Sequence, residues 1–231
     1  PIYIHPDRPD WFVPNSAADT AFEKVIKEGR ISDDLQWLLK RVDGPVDSDY
    51  QSRSDQLELG ALKECWLHIT NQCNMNCRHC MFQSSSLAGD KLTAADCTVI
   101  VKEAYELGCR IFYFTGGEPF LSEAFSVSVN DVLARAGTHV VVLTNLSLAS
   151  RKKDLFQNLP KGRLHFQVSI DGMQANHDTL RGPQAFNRLG GDLDAIRELG
   201  FPVTLAMTVT NDNVTEMDKI IDFAAEKKVA N

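Results

Sequence analysis

Residues 65–80 read CWLHITNQCNMNCRHC. The first six residues are mostly apolar, aromatic or β-branched, as a short strand requires. The last eight, 73–80, hold three cysteines spaced C-x3-C-x2-C, and no fourth follows nearby. A strand that runs directly into a thiol-rich loop sets two questions. One is what fold surrounds the strand. The other is what three soft ligands serve in one small loop.

Outward from this stretch, a strand–loop–helix unit repeats from about residue 63 onward. Further strands are expected at CRIFYF (109–114), THVVVLT (138–144), RLHFQVSI (163–170) and FPVTLAMTV (201–209). Helices are expected at 93–108, from a cap at Thr93 to a stop at Gly108, and at 122–137 and 151–159. Two more are expected at 183–200, opened by Pro183, and at 215–228, capped by Thr215. Strands alternating with helices pair in parallel through right-handed crossovers. The expected fold is therefore α/β: a partial (β/α) TIM-type barrel with parallel strands. It is expected over 61–231 and to be cut short after about five β/α units.

Residues 1–60 read differently, as a small N-terminal extension or accessory module with a linker. An extended, proline-punctuated start precedes two short helices, 18–29 and 32–42, and 44–56 is polar without an apolar period. Trp11, Phe12, Trp37 and Leu38 are the expected core of this part.

The chain has 231 residues, enough for one or two domains with a sizeable core. Asp and Glu outnumber Lys and Arg by 31 to 24, giving a formal net charge of -7, so no nucleic-acid partner is expected. No apolar run approaches the ~20 residues that span a membrane, and no signal peptide is seen. Six cysteines in a chain of this size, half of them in one loop, favour a metal site in a reducing, cytoplasmic compartment. The sequons at Asn145 and Asn213 then read as polar turns. Cys65, Cys97 and Cys109 sit in apolar contexts and read as buried thiols.

Parallel α/β folds bind ligands at the carboxyl ends of their strands. Each expected strand ends in chemically loaded residues. The first runs into the cysteine loop, the second into TGGEP (115–119), and the third into Thr144 and Asn145. The fourth ends in SIDG (169–172) and the fifth in Thr210 and Asn211. Thiolates favour zinc and iron–sulfur centres. Structural zinc wants four protein ligands, and His79, wedged between Cys77 and Cys80, is awkwardly placed to be the fourth. A four-iron cluster held by three thiolates leaves one iron open to a small molecule, whereas ferredoxin-type clusters use four cysteines and only pass electrons.

The C-x3-C-x2-C loop directly after the first strand resembles the signature of the radical S-adenosylmethionine (radical SAM) enzymes. GGEP at 116–119 resembles the family's glycine-rich motif. SIDG at 169–172 with HDTLRG at 177–182 resembles the peptide- and protein-modifying and cofactor-maturing subgroup, which often carries a C-terminal auxiliary-cluster (SPASM-type) domain. The resemblance covers roughly 63–231, and no cysteine-rich segment of that type appears before residue 231.

By this resemblance, Cys73, Cys77 and Cys80 hold a [4Fe-4S] cluster, and S-adenosylmethionine chelates the open iron. Its reductive cleavage yields a 5'-deoxyadenosyl radical that abstracts hydrogen from the substrate. Gly116 and Gly117 would bring backbone close to the methionine moiety, Glu118 would accept from its ammonium, and Pro119 would fix the turn. Ser169 would contact the carboxylate or ribose. Asp171 would orient the ribose or hold its own turn. Arg181, with Arg188 as a rival, would pair with the carboxylate. Asn145 would face the substrate or cap the next helix, and Thr210 and Asn211 would line the adenosine side or form helix-entry structure. No residue is singled out as catalytic beyond the cluster. His79 would cover the cluster. His68 and His165 read as satisfied barrel histidines, and His177 and Asp178 as braces.

The implied substrate is a peptide or protein, with an external electron donor such as flavodoxin or ferredoxin. Two alternatives stand beside it: maturation of a small cofactor such as a tetrapyrrole or pterin, and a non-enzymatic, zinc-stabilised α/β binding protein.

Overall fold

The computed structural model describes residues 2–4, 11–29, 31, 33–42 and 60–229. The chain divides into two compact units, Pro1–Gly60 and Ala61–Asn231.

In the first unit β1 (Tyr3–Ile4) pairs antiparallel with β2 (Trp11–Phe12), followed by α1 (Ser16–Glu28) and α2 (Asp33–Val42). Helix α1 starts two residues before the expected position because the Asn15 side chain accepts from Ala18 N–H at 3.0 Å. It stops at Gly29, whose φ of 68° is the left-handed cap glycine tolerates. Phe12 stacks on Tyr3 and meets Phe22 at 5.4 Å between ring centroids. The side chains of Trp11, Trp37 and Leu38, and the expected linker at 44–56, lie outside the described residues.

The second unit is a five-stranded parallel sheet in sequence order: β3 (Glu64–His68), β4 (Ile111–Thr115), β5 (His139–Thr144), β6 (Leu164–Ser169) and β7 (Val203–Ala206). Its helices are α3 (Ala94–Glu106), α4 (Ala124–Leu133), α5 (Gln174–Arg181), α6 (Ala185–Glu198) and α7 (Met217–Glu226). This is a partial, unclosed (β/α) barrel, with β3 and β7 at its edges among the described residues. Strand alternation decides the layers. Phe112, Phe114, Val140, Val142, Leu164, Phe166 and Val168 point to one core and are at most 1% exposed. Their intervening neighbours, such as Tyr113, Val141 and Gln167, line a cavity on the other face. Phe120, Phe156, Phe166 and Phe201 meet edge to face within the core, the arrangement favoured by their ring quadrupoles.

Several boundaries differ from expectation for identifiable reasons. Helix α3 does start where expected, after Thr93, in a reciprocal capping box with Asp96. Residues 151–159 make no α-helix: Ser150–Leu155 form a 3-10 turn with a kink at Lys152. HDTLRG lies largely within α5, a helix the apolar pattern did not announce. Pro183 stands outside α6, because Gln184 takes a left-handed φ of 59° and the Asp178 carboxylate accepts from Gln184 and Phe186 N–H. Thr215 caps nothing and falls in the 3-10 turn Val214–Glu216. Strand β7 ends at Ala206 rather than residue 209. The N–H of Thr208 turns to the Asp171 carboxylate at 3.0 Å instead of continuing the ladder.

Candidate functional site

The cysteine loop leaves β3 and is docked immediately against the turn after β4. Gly117 N–H donates to Thr70 O at 2.7 Å and Glu118 N–H to Gln72 O at 2.9 Å. A Cβ at Gly116 would lie 2.3 Å from Thr70 O, and one at Gly117 would lie 2.3 Å from Gln72 O. Only glycine permits so close an approach of two backbones, and Gly116 also takes a φ of 151°. The glycine pair therefore seats the cysteine loop on the sheet, a task the sequence did not reveal.

Cys73, Cys77 and Cys80 line a cavity of about 300 Å3 together with Gly116, Gly117, Asn145, Ser169 and Arg181. All six cysteines of the chain are free. Burial pushes the Cys73 thiol up to about 11, opposed by the Met75 N–H and reinforced by Glu118 and the other two thiols. Burial also raises Cys77, with the Arg181 guanidinium working against it. At Cys80 burial is outweighed by the N–H groups of Ser84, Phe82 and Gln83, which hold the thiol below its ordinary value. Metal coordination deprotonates such thiols outright.

Among the described residues, no three His, Cys, Asp or Glu side chains converge tightly enough to hold a single metal ion. A four-iron cluster is larger than one ion and takes each thiolate on a different iron. The three thiols share one cavity without converging on a single point among the described residues.

The residues expected at the rim divide into two sets. Glu118 has no exposed surface. Its carboxylate accepts from Thr144 Oγ at 2.7 Å, Asn145 N–H at 2.9 Å and Phe120 N–H at 3.3 Å. Burial raises its pKa to about 7, despite those donors and Lys152. Pro119 opens the buried 3-10 turn beside it. Asn145 is buried, and its Nδ2 reaches toward Cys73 Sγ at 3.7 Å and Asn74 Oδ1 at 3.1 Å. Its Oδ1 accepts from Ser147 N–H and Oγ–H, so it braces the cysteine loop rather than capping a helix.

The second set gathers at the end of β6. The Asp171 carboxylate, fully buried, accepts from Arg181 Nε–H and Thr208 N–H and faces His79 Nε2 at 3.1 Å. Its own N–H donates to His177 Nδ1 at 3.1 Å. Burial, with Arg181 nearby, lowers the His177 pKa to about 4, which leaves its ring a neutral acceptor. His177 and Asp178 thus sit as braces. His79 lines the cavity and is tied to Asp171.

Some expected residues stand elsewhere. Arg188 is exposed and bonds Pro183 O, outside the cavity. Asn211 is exposed, and Thr210 gives its N–H to Asn213 Oδ1. Neither lines the cavity, whereas Thr208 does. His165 pairs with Thr204 Oγ at 2.7 Å, but His68 keeps a buried Nδ1 without a hydrogen-bond partner, so only one of the two is satisfied. Cys97 and Cys109 are buried and Cys65 is half-buried. Thr208 and Asn213 were missed, and Thr144, noted only as a strand end, proves to be a donor to Glu118. Asn213 had registered only as a sequon. It is buried, and its Nδ2 bonds Asp171 O and Thr208 O.

The fold is an unclosed parallel (β/α) barrel with three free thiols on a cavity at the carboxyl ends of its strands. The chain belongs to the Radical SAM superfamily, whose family model matches residues 67–224, and it carries that family's catalytic domain. The sporulation killing factor maturation protein SkfB of Bacillus subtilis is 29% identical over 163 residues, covering 70% of this chain and 39% of its own length. An AdoMet-dependent heme synthase of Methanosarcina barkeri is 33% identical over 162 residues, covering 68% of this chain and 46% of its own length. Streptococcus suis SuiB bound to S-adenosylmethionine superposes with a TM-score of 0.64 at 15% identity, over 90% of this chain and 47% of that one. The last likeness shows the fold alone. The chain spans less than half the length of each of these proteins. Family membership implies use of an iron–sulfur cluster and S-adenosylmethionine. Among the described residues no helix is long and apolar enough to cross a membrane.

Proposed function

We propose that the protein is a radical SAM enzyme acting on a peptide or protein, with Cys73, Cys77 and Cys80 as ligands of a [4Fe-4S] cluster. The observation that carries this reading is the placement of all three thiols on one cavity whose other walls come from the ends of the strands. When bound, the cluster supplies the electron that cleaves S-adenosylmethionine to methionine and a 5'-deoxyadenosyl radical, which takes a hydrogen atom from the substrate.

The chain's own residues bind and orient. Arg181 offers a cation to the carboxylate of S-adenosylmethionine, and Ser169 a hydroxyl to its carboxylate or ribose. Gly116 and Gly117 keep side chains out of the cavity wall while docking the cysteine loop. Glu118 and Asn145 hold the loop from behind, and Asp171 holds it from the β6 side. An external electron donor such as flavodoxin or ferredoxin reduces the cluster in a cytoplasmic setting. Residues 1–60 form a compact unit of their own and are read as an N-terminal extension or accessory module.

The peptide reading has the support of the SIDG and HDTLRG residues and of similarity to SkfB, a maturation protein. A second reading, maturation of a tetrapyrrole or a similar small cofactor, is favoured by the 33% identity to the heme synthase. The test is anaerobic reconstitution with iron, sulfide, reductant and S-adenosylmethionine. 5'-Deoxyadenosine is expected, and Cys77→Ala is expected to form none. Unchanged activity and metal content in that variant would overturn the assignment. Deuterium transfer into 5'-deoxyadenosine from labelled peptides encoded nearby, or from labelled porphyrins, separates the two substrate readings.

A further inference from the structure

Two parts of the site that act on different partners meet at one carboxylate. Asp171 has no exposed surface, and its Oδ2 contacts both His79 and Arg181. His79 belongs to the cysteine loop, between Cys77 and Cys80. Arg181 belongs to α5 and lines the cavity. The remaining ring nitrogen of His79, Nδ1, is buried without a hydrogen-bond partner, so Asp171 is the ring's polar anchor among the described residues. Arg181 bonds Asp171 through Nε. The terminal nitrogens of a guanidinium fastened that way keep donors for a second anion. A backbone bond from Arg78 N–H to Leu180 O at 3.0 Å ties the same loop to the same helix. Asp171 itself is fixed by Thr208 N–H on its other oxygen. A buried carboxylate so heavily bonded has one low-energy orientation, and both its partners inherit it.

We infer that Asp171 is a positioning residue that couples the two halves of the site. Through His79 it sets the Cys77–Cys80 half of the cysteine loop. Through Arg181 it aims a cation into the cavity. Retention of the cluster and affinity for the anionic end of S-adenosylmethionine are therefore linked. This inference rests on the proposed function and deepens it by naming the residue that joins the two ligands.

The experiment uses the full protein, reconstituted anaerobically. Iron release to a chelator measures cluster retention. The change in the spectrum of the reduced cluster on titration with S-adenosylmethionine measures affinity. Asp171→Asn is expected to raise iron release and weaken S-adenosylmethionine, each by about 10- to 100-fold, the range for partners that orient metal ligands. His79→Phe keeps a ring but loses the nitrogen that faces Asp171. It is expected to release iron about tenfold faster and also to weaken S-adenosylmethionine, which Arg181 and not His79 is placed to hold. His79→Gln, which restores a donor, is expected to recover most of both losses.

In an Asp171→Asn background, His79→Phe and Arg181→Lys should each add little. Additive effects, or a His79→Phe protein indistinguishable from wild type, would overturn the inference. Should Asp171→Asn fail to fold, the cycle of His79→Phe, Arg181→Lys and their double variant tests the same coupling, and additivity there is equally fatal. A wild-type protein that assembles no cluster sinks the proposed function and this inference together. One that assembles a cluster and binds S-adenosylmethionine, while the variants behave normally, sinks only the inference.

Discussion

The turns after β4 and β6 each present a fully buried carboxylate, Glu118 and Asp171, but the two are satisfied in different ways. Glu118 is met by one hydroxyl and two backbone N–H groups, all from the turn itself or the neighbouring end of β5. Asp171 is met by an arginine, a histidine of the cysteine loop and the end of β7. The β4 turn stitches strand to strand. The β6 turn connects the framework to groups that face the cavity. Two residues with the same promise in the sequence thus acquire different physical tasks. The deciding quantity is what charge lies within hydrogen-bond reach of each.

The largest expected effect concerns what both turns support. Cys77→Ala should abolish 5'-deoxyadenosine formation and lower bound iron, because neither turn can replace a lost thiolate. Next comes the seating of the loop on the β4 turn. Gly117→Ala places a Cβ against Gln72 O, so a loss of about 2–4 kcal/mol in a urea melt is expected, with reduced iron uptake. Wild-type stability in that variant would break the claim that the glycine pair docks the loop.

Glu118→Gln sharpens the comparison. Its amide must turn an N–H toward donors, which costs about 1–3 kcal/mol of stability. Affinity for S-adenosylmethionine should change far less than in Asp171→Asn. Equal losses of affinity in the two variants would erase the distinction between the turns.

The pH dependence separates the turns again. Glu118 is raised from 4.5 to about 7, so the folded protein holds its proton longer than the unfolded chain. Its contribution to stability is greatest in acid and falls as pH rises from 4.5 to about 7. His177 is lowered from 6.5 to about 4, so the unfolded chain takes the proton first. Its contribution is present above 6.5 and falls as pH drops toward about 4. Relative to wild type, Glu118→Gln should gain stability with rising pH across this window, and a His177→Gln protein should lose it. Urea midpoints at a series of pH values read both signs. The smallest effect is a control far from either turn: Thr93→Ala removes the capping box of α3 and should cost about 1 kcal/mol with no change in iron content.

Much of the framework was legible because short apolar or β-branched runs such as HVVVLT and alternating ones such as LHFQVS have few other ways to be buried. The three cysteines were legible because soft donors at close spacing have few uses. The glycine pair was visible, but its neighbour was not: Thr70 and Gln72 lie more than forty residues earlier in the chain. Asn145 was expected at the substrate or at a helix cap, and Asn213 looked like a generic turn residue, because an amide advertises no partner. Helix α5 was hidden because QANHDTLR carries little apolar surface, and its place is set by His177, Arg181 and Leu180 bonding to the β6 turn and the cysteine loop. Thr215 looked like a cap because capping residues are recognised by type. In the fold the preceding Asn213 is drawn inward by Asp171 and Thr208, and the chain enters α7 through a 3-10 turn instead.

The sequence alone determined the parallel α/β frame and the thiol loop at its carboxyl rim, because both follow from local periodicity and donor type. Only the tertiary structure decided which buried acid braces a strand and which one reaches the cavity. That choice depends on the charges and N–H groups that distant segments bring within about 3 Å, and no local pattern records them.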